Sequence, residues 1–513
     1  MKSLNRILVV VIAVVGGVLS ASAQSRNSYF MEGSYFRTDM NPALVPTRGF
    51  VSITPLGGVG LSLNNNFISV DNFLYQRDGE MVTFLNGKVS SEEFMKKLPK
   101  NCNLGADVRM NFVNVGFYTG HMFWNFGANM RANVNVSLPS SLFGLVKNLS
   151  NDTFDLGNLG ISASAYMETY LGTSIPIGEH VNLGVRLKYL TGLFNANINL
   201  NNSYLSIDED QIYGKLSGTG VIASPLLATK GVVMEAQDVL DNLADNINPA
   251  FNMSDGFNVM NMMKQFSSWG LAADLGVEVR LLDNHLRISA AVTDLGIMRY
   301  SANQALMFNG LSGSGYFNGI SFSAKNGNEE SGESVEGSES EDLGFEFTGG
   351  EVKGADKAYT KMLNCTLNAG VEYNILRNHI AFGLLSHTEF VNKMAFSELT
   401  ASVNFRPTNW LSATFSHTFL NKHALGVLGF ALNLHPRVIN LFVGMDFIDT
   451  RFSALKVNDG ASVIPVPRYM KSANVYFGFG WNFARPKWMR NKKAKTVEEA
   501  QPMGAAPVVA MMR

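Results

Sequence analysis

Six charged residues stand out because the sequence around them is apolar: Arg186, Lys188, Asp274, Glu278, Arg280 and Glu372. Each occupies the polar position of a run that alternates residue by residue. Leu271, Leu275, Val277, Val279 and Leu281 oppose Asp274, Gly276, Glu278 and Arg280; Leu183, Val185, Leu187 and Tyr189 oppose Gly184, Arg186 and Lys188; Leu367, Val371 and Tyr373 oppose Asn368, Glu372 and Asn374. Charges of both signs, two residues apart on one face of a strand, have one natural chemistry: they pair in a shared interior, where an unpaired charge is costly. Catalysis asks for other patterns. The chain has no Gly-x-Ser-x-Gly elbow, no His-Glu-x-x-His and no Cys-x-x-Cys. His180, His285 and His379 come just after tight turns, where a polar aromatic ring suits an interface better than a metal. No enzyme, no cofactor and no metal site is expected. Cys102 is read as a loop residue and Cys365 as sharing the face of Leu367, so the two are not expected to pair.

The elements that would position these charges are strands joined by tight hairpins. The breaks "GEH", "LDNH", "LRNH", "RPTN" and "HPR" each join two alternating runs with the Gly, Pro, Asn and Asp that tight turns use. Fifteen strand starts are readable, near Val51, Gly105, Met122, Leu159, His180, Ser203, Trp269, Leu286, Met362, His379, Phe396, Trp410, Ala424, Ile439 and Ser472. The start near Ser203 is the weakest, which leaves about fourteen. Alternation flips parity between Phe112 and Val113, the mark of a β-bulge.

Composition narrows the surroundings. The 513 residues include 41 basic and 42 acidic ones, so nucleic acid is not an expected partner. Charged residues make up 16% against 46% hydrophobic, and the polar faces are filled by Gly, Asn and Ser rather than Lys. A sandwich in water would place lysines there. Lys2 and Arg6 precede an apolar run from Ile7 to Leu19, followed by Ala21 and Ala23 at the positions a signal peptidase reads, so 1–23 is expected to be a signal peptide and Gln24 the mature start. No later stretch is apolar enough to span a bilayer as a helix, where about 20 residues are needed. An exported chain of this kind enters a membrane as a closed barrel, with aromatic girdles at Tyr189, Tyr373, Trp410, Trp481 and Phe483.

The fold class expected is therefore all-β: a transmembrane antiparallel barrel of about fourteen strands over 51–483, with an N-terminal segment, 24–50, as a plug in the lumen and short helices in the long loops. Short turns belong on the periplasmic side of an outer membrane and long loops outside. Helix candidates are "PSSLFGLVKNLSND" from Pro139 and two within the Met-rich insertion 229–268, a candidate lid. The stretch 326–342 is an acidic loop and 484–513 a periplasmic tail.

A resemblance adds to this. "YFMEGSYFRTDMNPALVPTRGFVSI", "VNVGFYTGHMFWNFGANMRANVNVSLPSSLFGLVKN" and "ISAAVTDLGIMRY" resemble a family of outer-membrane barrels of unknown function from bacteria with Bacteroidetes-type envelopes, over about Ser28 to Phe483. More distantly, Asn41, Pro42 and Ala43 are similar to the Asn-Pro-Ala motif of the long-chain fatty-acid transporter superfamily, whose barrel type the shuttle protein of type IX secretion shares. The glycine-rich hatch sequence that precedes that motif in true fatty-acid transporters is missing. The resemblance implies a hatch at Asn41 to Ala43, a fourteen-strand wall, and a small hydrophobic ligand that leaves sideways through the wall. The alternative is a structural or secretion-accessory barrel whose partner is an exported or periplasmic protein. Either would sit in outer-membrane lipid.

Overall fold

The computed structural model of the chain describes residues 26–53, 58–78, 80–147, 152–207, 212–227, 233–235, 266–317, 344–391, 394–420, 427–448, 452–457, 462–467 and 472–483. The expected signal peptide, almost all of the 229–268 insertion with its two helix candidates, the acidic loop 326–342 and the tail 484–513 lie outside the described residues.

In chain order the strands are β1 (Phe50–Ile53), β2 (Val59–Asn65), β3 (Leu74–Arg77), β4 (Glu80–Thr83), β5 (Asn101–Thr119), β6 (Met122–Pro139), β7 (Asp152–Asp155), β8 (Gly160–Ile177) and β9 (Val181–Leu200). They continue with β10 (Tyr204–Ile207), β11 (Ile212–Ala223), β12 (Val233–Glu235), β13 (Trp269–Leu281), β14 (Leu286–Tyr300), β15 (Ala305–Phe317), β16 (Gly344–Gly354), β17 (Tyr359–Met362) and β18 (Cys365–Ile375). The last are β19 (Ile380–Val391), β20 (Met394–Thr408), β21 (Leu411–Leu420), β22 (Val427–Leu434), β23 (Ile439–Ile448), β24 (Phe452–Val457), β25 (Ser462–Pro467) and β26 (Ser472–Asn482).

The wall is a closed antiparallel barrel of fourteen strands, in the order β5, β6, β8, β9, β13, β14, β18, β19, β20, β21, β22, β23, β26 and then the pair β1 and β2. Those two are pieces of one wall strand. Phe50 pairs with both Gly116 and Asn482, and Val59 with both Met110 and Phe477, which closes the ring and leaves the circuit no free edge. Fourteen of the fifteen starts read from the sequence fall within a few residues of these wall strands; the fifteenth, near Ser203, is β10, which pairs with β7 and β11 beyond the circuit.

Alternation sets which way each side chain goes. On β9 Leu187 is 64% exposed on the outside while Arg186 beside it is fully buried inside. The outer surface is a continuous apolar band in which Tyr189, Tyr373, Trp410, Trp481 and Phe483 are all exposed. No helix among the described residues is long and apolar enough to cross a membrane.

The five tight turns lie at one end of the barrel, between β8 and β9, β13 and β14, β18 and β19, β20 and β21, and β22 and β23. Two of them hold three successive residues in the left-handed region: Leu282, Asp283 and Asn284 at φ 51°, 55° and 69°, and Leu376, Arg377 and Asn378 at 48°, 56° and 70°. The parity flip at Phe112 is a bulge, for the register passes from Asn111 opposite Asn129 to Val113 opposite Ala128. It faces the break between β1 and β2, where the Asn111 N–H donates to the Gly58 carbonyl at 2.9 Å.

At the far end, helices Val70–Phe73, Ser91–Lys97 and Ser141–Lys147 pack with the β3–β4 hairpin around Phe67, Phe94 and Cys102. Cys102 corrects the sequence reading. It lies in β5, not in a loop, because the strand runs on past the bilayer-length core to form the floor of this small apolar cluster. Both cysteines are free.

Candidate functional site

The inner face of the wall and the segment 26–48 form one polar assembly. Short turns of helix at Arg26–Ser28 and Arg37–Met40 fold this segment back on itself, and most of its side chains are buried. It contacts strands all round the barrel. The Arg26 guanidinium meets Glu398 of β20 at 3.0 Å and its backbone N–H donates to Asp446 of β23 at 3.1 Å. Arg406 of β20 donates to the Phe30 carbonyl at 2.7 Å, and Arg287 of β14 meets Glu32 at 2.5 Å. Asn440 of β23 and Asn368 of β18 donate to the carbonyls of Gly33 and Met40 at 2.7 and 2.9 Å.

Asn41, Pro42 and Ala43 lie flat against the wall. The Asn41 carboxamide donates to the Tyr29 hydroxyl at 3.2 Å and accepts from the Ala43 N–H at 2.9 Å, which fixes a tight local turn. Asn182 of β9 donates to the Ala43 carbonyl. The wall residues beneath are glycines out of necessity: a Cβ on Gly184 would sit 2.2 Å from the Ala43 nitrogen, and one on Gly276 would sit 2.1 Å from the Asn41 side-chain oxygen. Nearer the short turns, Tyr35, Phe36, Phe50, Phe442 and Tyr476 stack in series with ring centres 4.6 to 5.2 Å apart.

Besides the group around Arg26, Glu398 and Asp446, the charges form two networks. In the larger, Lys188 meets Asp274 at 2.7 Å, Asp294 at 2.5 Å and Glu168 at 3.7 Å; Arg131 meets Asp294 at 2.6 Å and Glu168 at 3.2 Å; Arg186 meets Asp39 at 2.9 Å and Asp274 at 3.8 Å. Arg109 reaches Asp39 at 3.0 Å. Four cations thus face four carboxylates, all buried or nearly so, and the set is neutral as it must be in a poorly hydrated interior. In the smaller network Glu372 pairs with Arg406 and lies 3.6 Å from Arg287, while Glu278 pairs with Arg280, two residues along β13, at 2.5 Å. The structure places Arg186, Lys188 and Asp274 together. It places Glu278, Arg280 and Glu372 apart from them, toward the short turns. Sequence reasoning missed Asp39, Arg109, Arg131, Glu168 and Asp294. Parity on β5, β6 and β8 marks Arg109, Arg131 and Glu168; Asp294 is hidden because it sits at φ 60° where the β13–β14 register slips.

One stretch of wall is interrupted. β9 pairs with β13 as far as Thr191 opposite Trp269, then with β11 from Asn195 opposite Ala223. On the other side β14 ends and β15 takes over, with Arg299 opposite Trp269 and Ala305 opposite Ala223. β11 and β13 are therefore two halves of a single wall position, separated in the chain by residues 224–268, within which β12 pairs with β16. Ser224 and Ser268 are buried and stitch the seam: Ser224 Oγ donates to the Leu193 carbonyl at 3.1 Å and its N–H to Gln304 O at 2.9 Å, while Ser268 accepts from the Ser301 N–H and its carbonyl from the Gly192 N–H. The inner side of the seam is apolar, with Tyr166, Leu190, Ala223, Met298, Tyr300 and Ala305 buried together. Beside it a cavity opens among Asn133, Asn135, Ser162, Ser164, Lys361 and Asn364.

Among solved structures, the toluene transporter TbuX of Ralstonia pickettii aligns with a TM-score of 0.40 at 9% identity, covering 91% of this chain and 99% of that one. A deletion mutant of the TodX monoaromatic hydrocarbon channel aligns with a TM-score of 0.38 at 9% identity, covering 88% and 95%. No curated protein matches the chain. The model of a family of unknown function, DUF5723, matches residues 42–446, and the chain belongs to that family.

Proposed function

We propose that the protein is an outer-membrane barrel that passes a small hydrophobic molecule from the outer side to a lateral opening in its own wall. In this reading the segment 24–50 is a plug with Asn41, Pro42 and Ala43 as its hatch, the apolar outer band faces lipid, and the insertion 229–268 is a lid over the seam. Helices in the long loops shape the outer mouth. The chain reaches the membrane by way of a cleaved signal peptide, and no chemistry is done on the passenger.

The observation that carries this reading is the seam between Ala223 and Trp269. A barrel that only anchors or stiffens the envelope gains nothing from interrupting one wall strand with a long excursion and lining the inner side of the break with apolar side chains. A break lined this way gives an apolar solute a path that avoids the buried ion pairs below it.

Native mass spectrometry of the protein released gently from its membrane tests the proposal. A bound apolar molecule of modest mass, lost when residues 229–265 are excised, is the expected result. A bound protein with no small molecule would overturn it in favour of the secretion-accessory alternative.

A further inference from the structure

The described chain begins inside the barrel, and the wall around its first residues is acidic. Arg26 meets Glu398 of β20 at 3.0 Å, and its backbone N–H donates to Asp446 of β23 at 3.1 Å. Asp446 also accepts from the Asn27 carboxamide, from the Asn474 carboxamide at 3.0 Å and from the Tyr476 hydroxyl at 3.0 Å. Two further carboxylates act on Arg26 from other strands. Asp107 of β5 stands in one row with Asp446, through Ser62 of β2 and Asn474 of β26. Glu389 of β19 shares the inner face two residues beyond His387, which is opposite Glu398.

Asp107 and Glu389 are the unusual pair. Both are half-buried, and neither makes a hydrogen bond or an ion pair among the described residues. The other cation that acts on them, Arg131, is held by Asp294 and Glu168 at 2.6 and 3.2 Å. His387 is turned to the Asn368 carboxamide at 2.7 Å. Among the described residues four carboxylates therefore face a single guanidinium at this level of the lumen. The Asn27 carboxamide adds an independent sign. It is 2% exposed, its nitrogen lies on Asp446, and its oxygen has no donor. A buried acceptor without a donor, set among carboxylates that repel one another, asks for a cation that carries N–H groups.

The chain itself brings such a cation to this point. Removal of the expected signal peptide after Ala23 leaves the α-ammonium of Gln24 two residues before Arg26, and two residues span at most about 7 Å. We infer that the α-ammonium of the mature chain docks among Asp107, Glu389, Glu398 and Asp446, with the Asn27 carboxamide oxygen as a further acceptor. The inference rests on the cleaved signal peptide and the plug of the reading above, and it assigns how the plug is held at its free end. In the uncut precursor the same nitrogen is a neutral peptide N–H. Processing is thus the step that fastens the segment inside the barrel.

The test is acylation of the α-amine in the folded full barrel, in a nonionic detergent near neutral pH. N-hydroxysuccinimidyl acetate is the probe, and mass spectrometry of the N-terminal peptide is the readout. In wild type the α-amine is expected to react roughly tenfold more slowly than in the urea-unfolded chain, because only the unprotonated amine is nucleophilic and pairing disfavours it. Asp107→Asn combined with Glu389→Gln keeps the shape, disturbs no hydrogen bond of the described residues, and should abolish most of that protection. Asp107→Glu combined with Glu389→Asp keeps both charges and should retain it. Heat-modifiable migration on gels confirms that each variant is a folded barrel. Reaction in folded wild type as fast as in the unfolded chain, or protection unchanged in the neutral double variant, overturns the docking while leaving plug and passage standing. Pyroglutamate in place of Gln24 overturns it as well, since no amine then remains to dock. A mature chain that does not begin at Gln24 overturns it together with the signal-peptide reading.

Discussion

Asp39 is the residue through which the N-terminal segment is tied to the charged interior. It answers both Arg186 of β9, at 2.9 Å, and Arg109 of β5, at 3.0 Å, and all three are buried. Asp39→Asn keeps the shape and removes the charge, leaving two guanidiniums to share Asp274 and the Tyr170 ring, over which Arg186 lies at 4.3 Å. Breaking one member of a buried pair costs about 3–5 kcal/mol. The expected outcome is a lower urea midpoint for release of the segment, read by protease cleavage within 26–48, with the wall itself unchanged. Gly276→Ala strikes the same segment by sterics. The Cβ would meet the Asn41 side chain at 2.1 Å, and overpacking of this kind costs about 1–3 kcal/mol. Single-channel recording should show open events in Gly276→Ala that wild type lacks; an unchanged trace would sink the idea that Asn41 is held against the wall. These roles are unequally legible in sequence. Period-two alternation points Arg186, Lys188 and Asp274 inward, because a strand gives every second residue the same face. Asp39 lies in a segment with no period, so its partners follow only from the fold.

At the scale of elements, the hairpin turns carry strain that a single residue can relieve. Arg377 sits at φ 56° between two other left-handed residues, where an L side chain costs roughly 1–2 kcal/mol. Asn378 earns its place through bonds to Glu32 and Arg406. Arg377→Gly is therefore expected to stabilise the barrel by about 0.5–1 kcal/mol after the entropy glycine adds to the unfolded chain, seen as a higher denaturant midpoint with an unchanged slope. Destabilisation would mean that the guanidinium is bound in a way the turn alone does not require. The wall strands are readable because both of their faces are constrained, one by the apolar surroundings and one by the packed interior. β11, β15 and β16 are not. They are rich in Gly and Ser, as in Gly214, Ser217, Gly218 and Gly220, and extend the wall past the region where an apolar outer face is demanded. The seam is illegible for a related reason: alternation shows that 269–281 is a strand, and nothing local shows that β11 occupies the same place in the wall above it.

For the whole molecule, the proposed reading gives sealing and exchange to different segments, and two deletions separate them. The circuit of fourteen strands closes through backbone pairing alone, with β1 and β2 between β26 and β5, so neither deletion cuts the ring. Removing residues 28–46 takes away Asp39, Glu32 and the aromatic stack of Tyr35 and Phe36, and leaves Arg109, Arg186, Arg287 and Arg406 facing an emptied interior. Water then enters to solvate them, because a charge of this kind is too costly to leave both dry and unpaired. This variant should conduct ions steadily in planar bilayers. Excising residues 229–265 leaves every one of those contacts in place, and the seam keeps the bonds made by Ser224 and Ser268. It should stay closed to ions yet lose its retained ligand. Combining the deletions should give the sum of the two effects, as expected of sites that share no partners. Steady conduction from the 229–265 variant would instead mean that the excursion, and not the N-terminal segment, seals the barrel, and the roles of plug and lid would have to be exchanged.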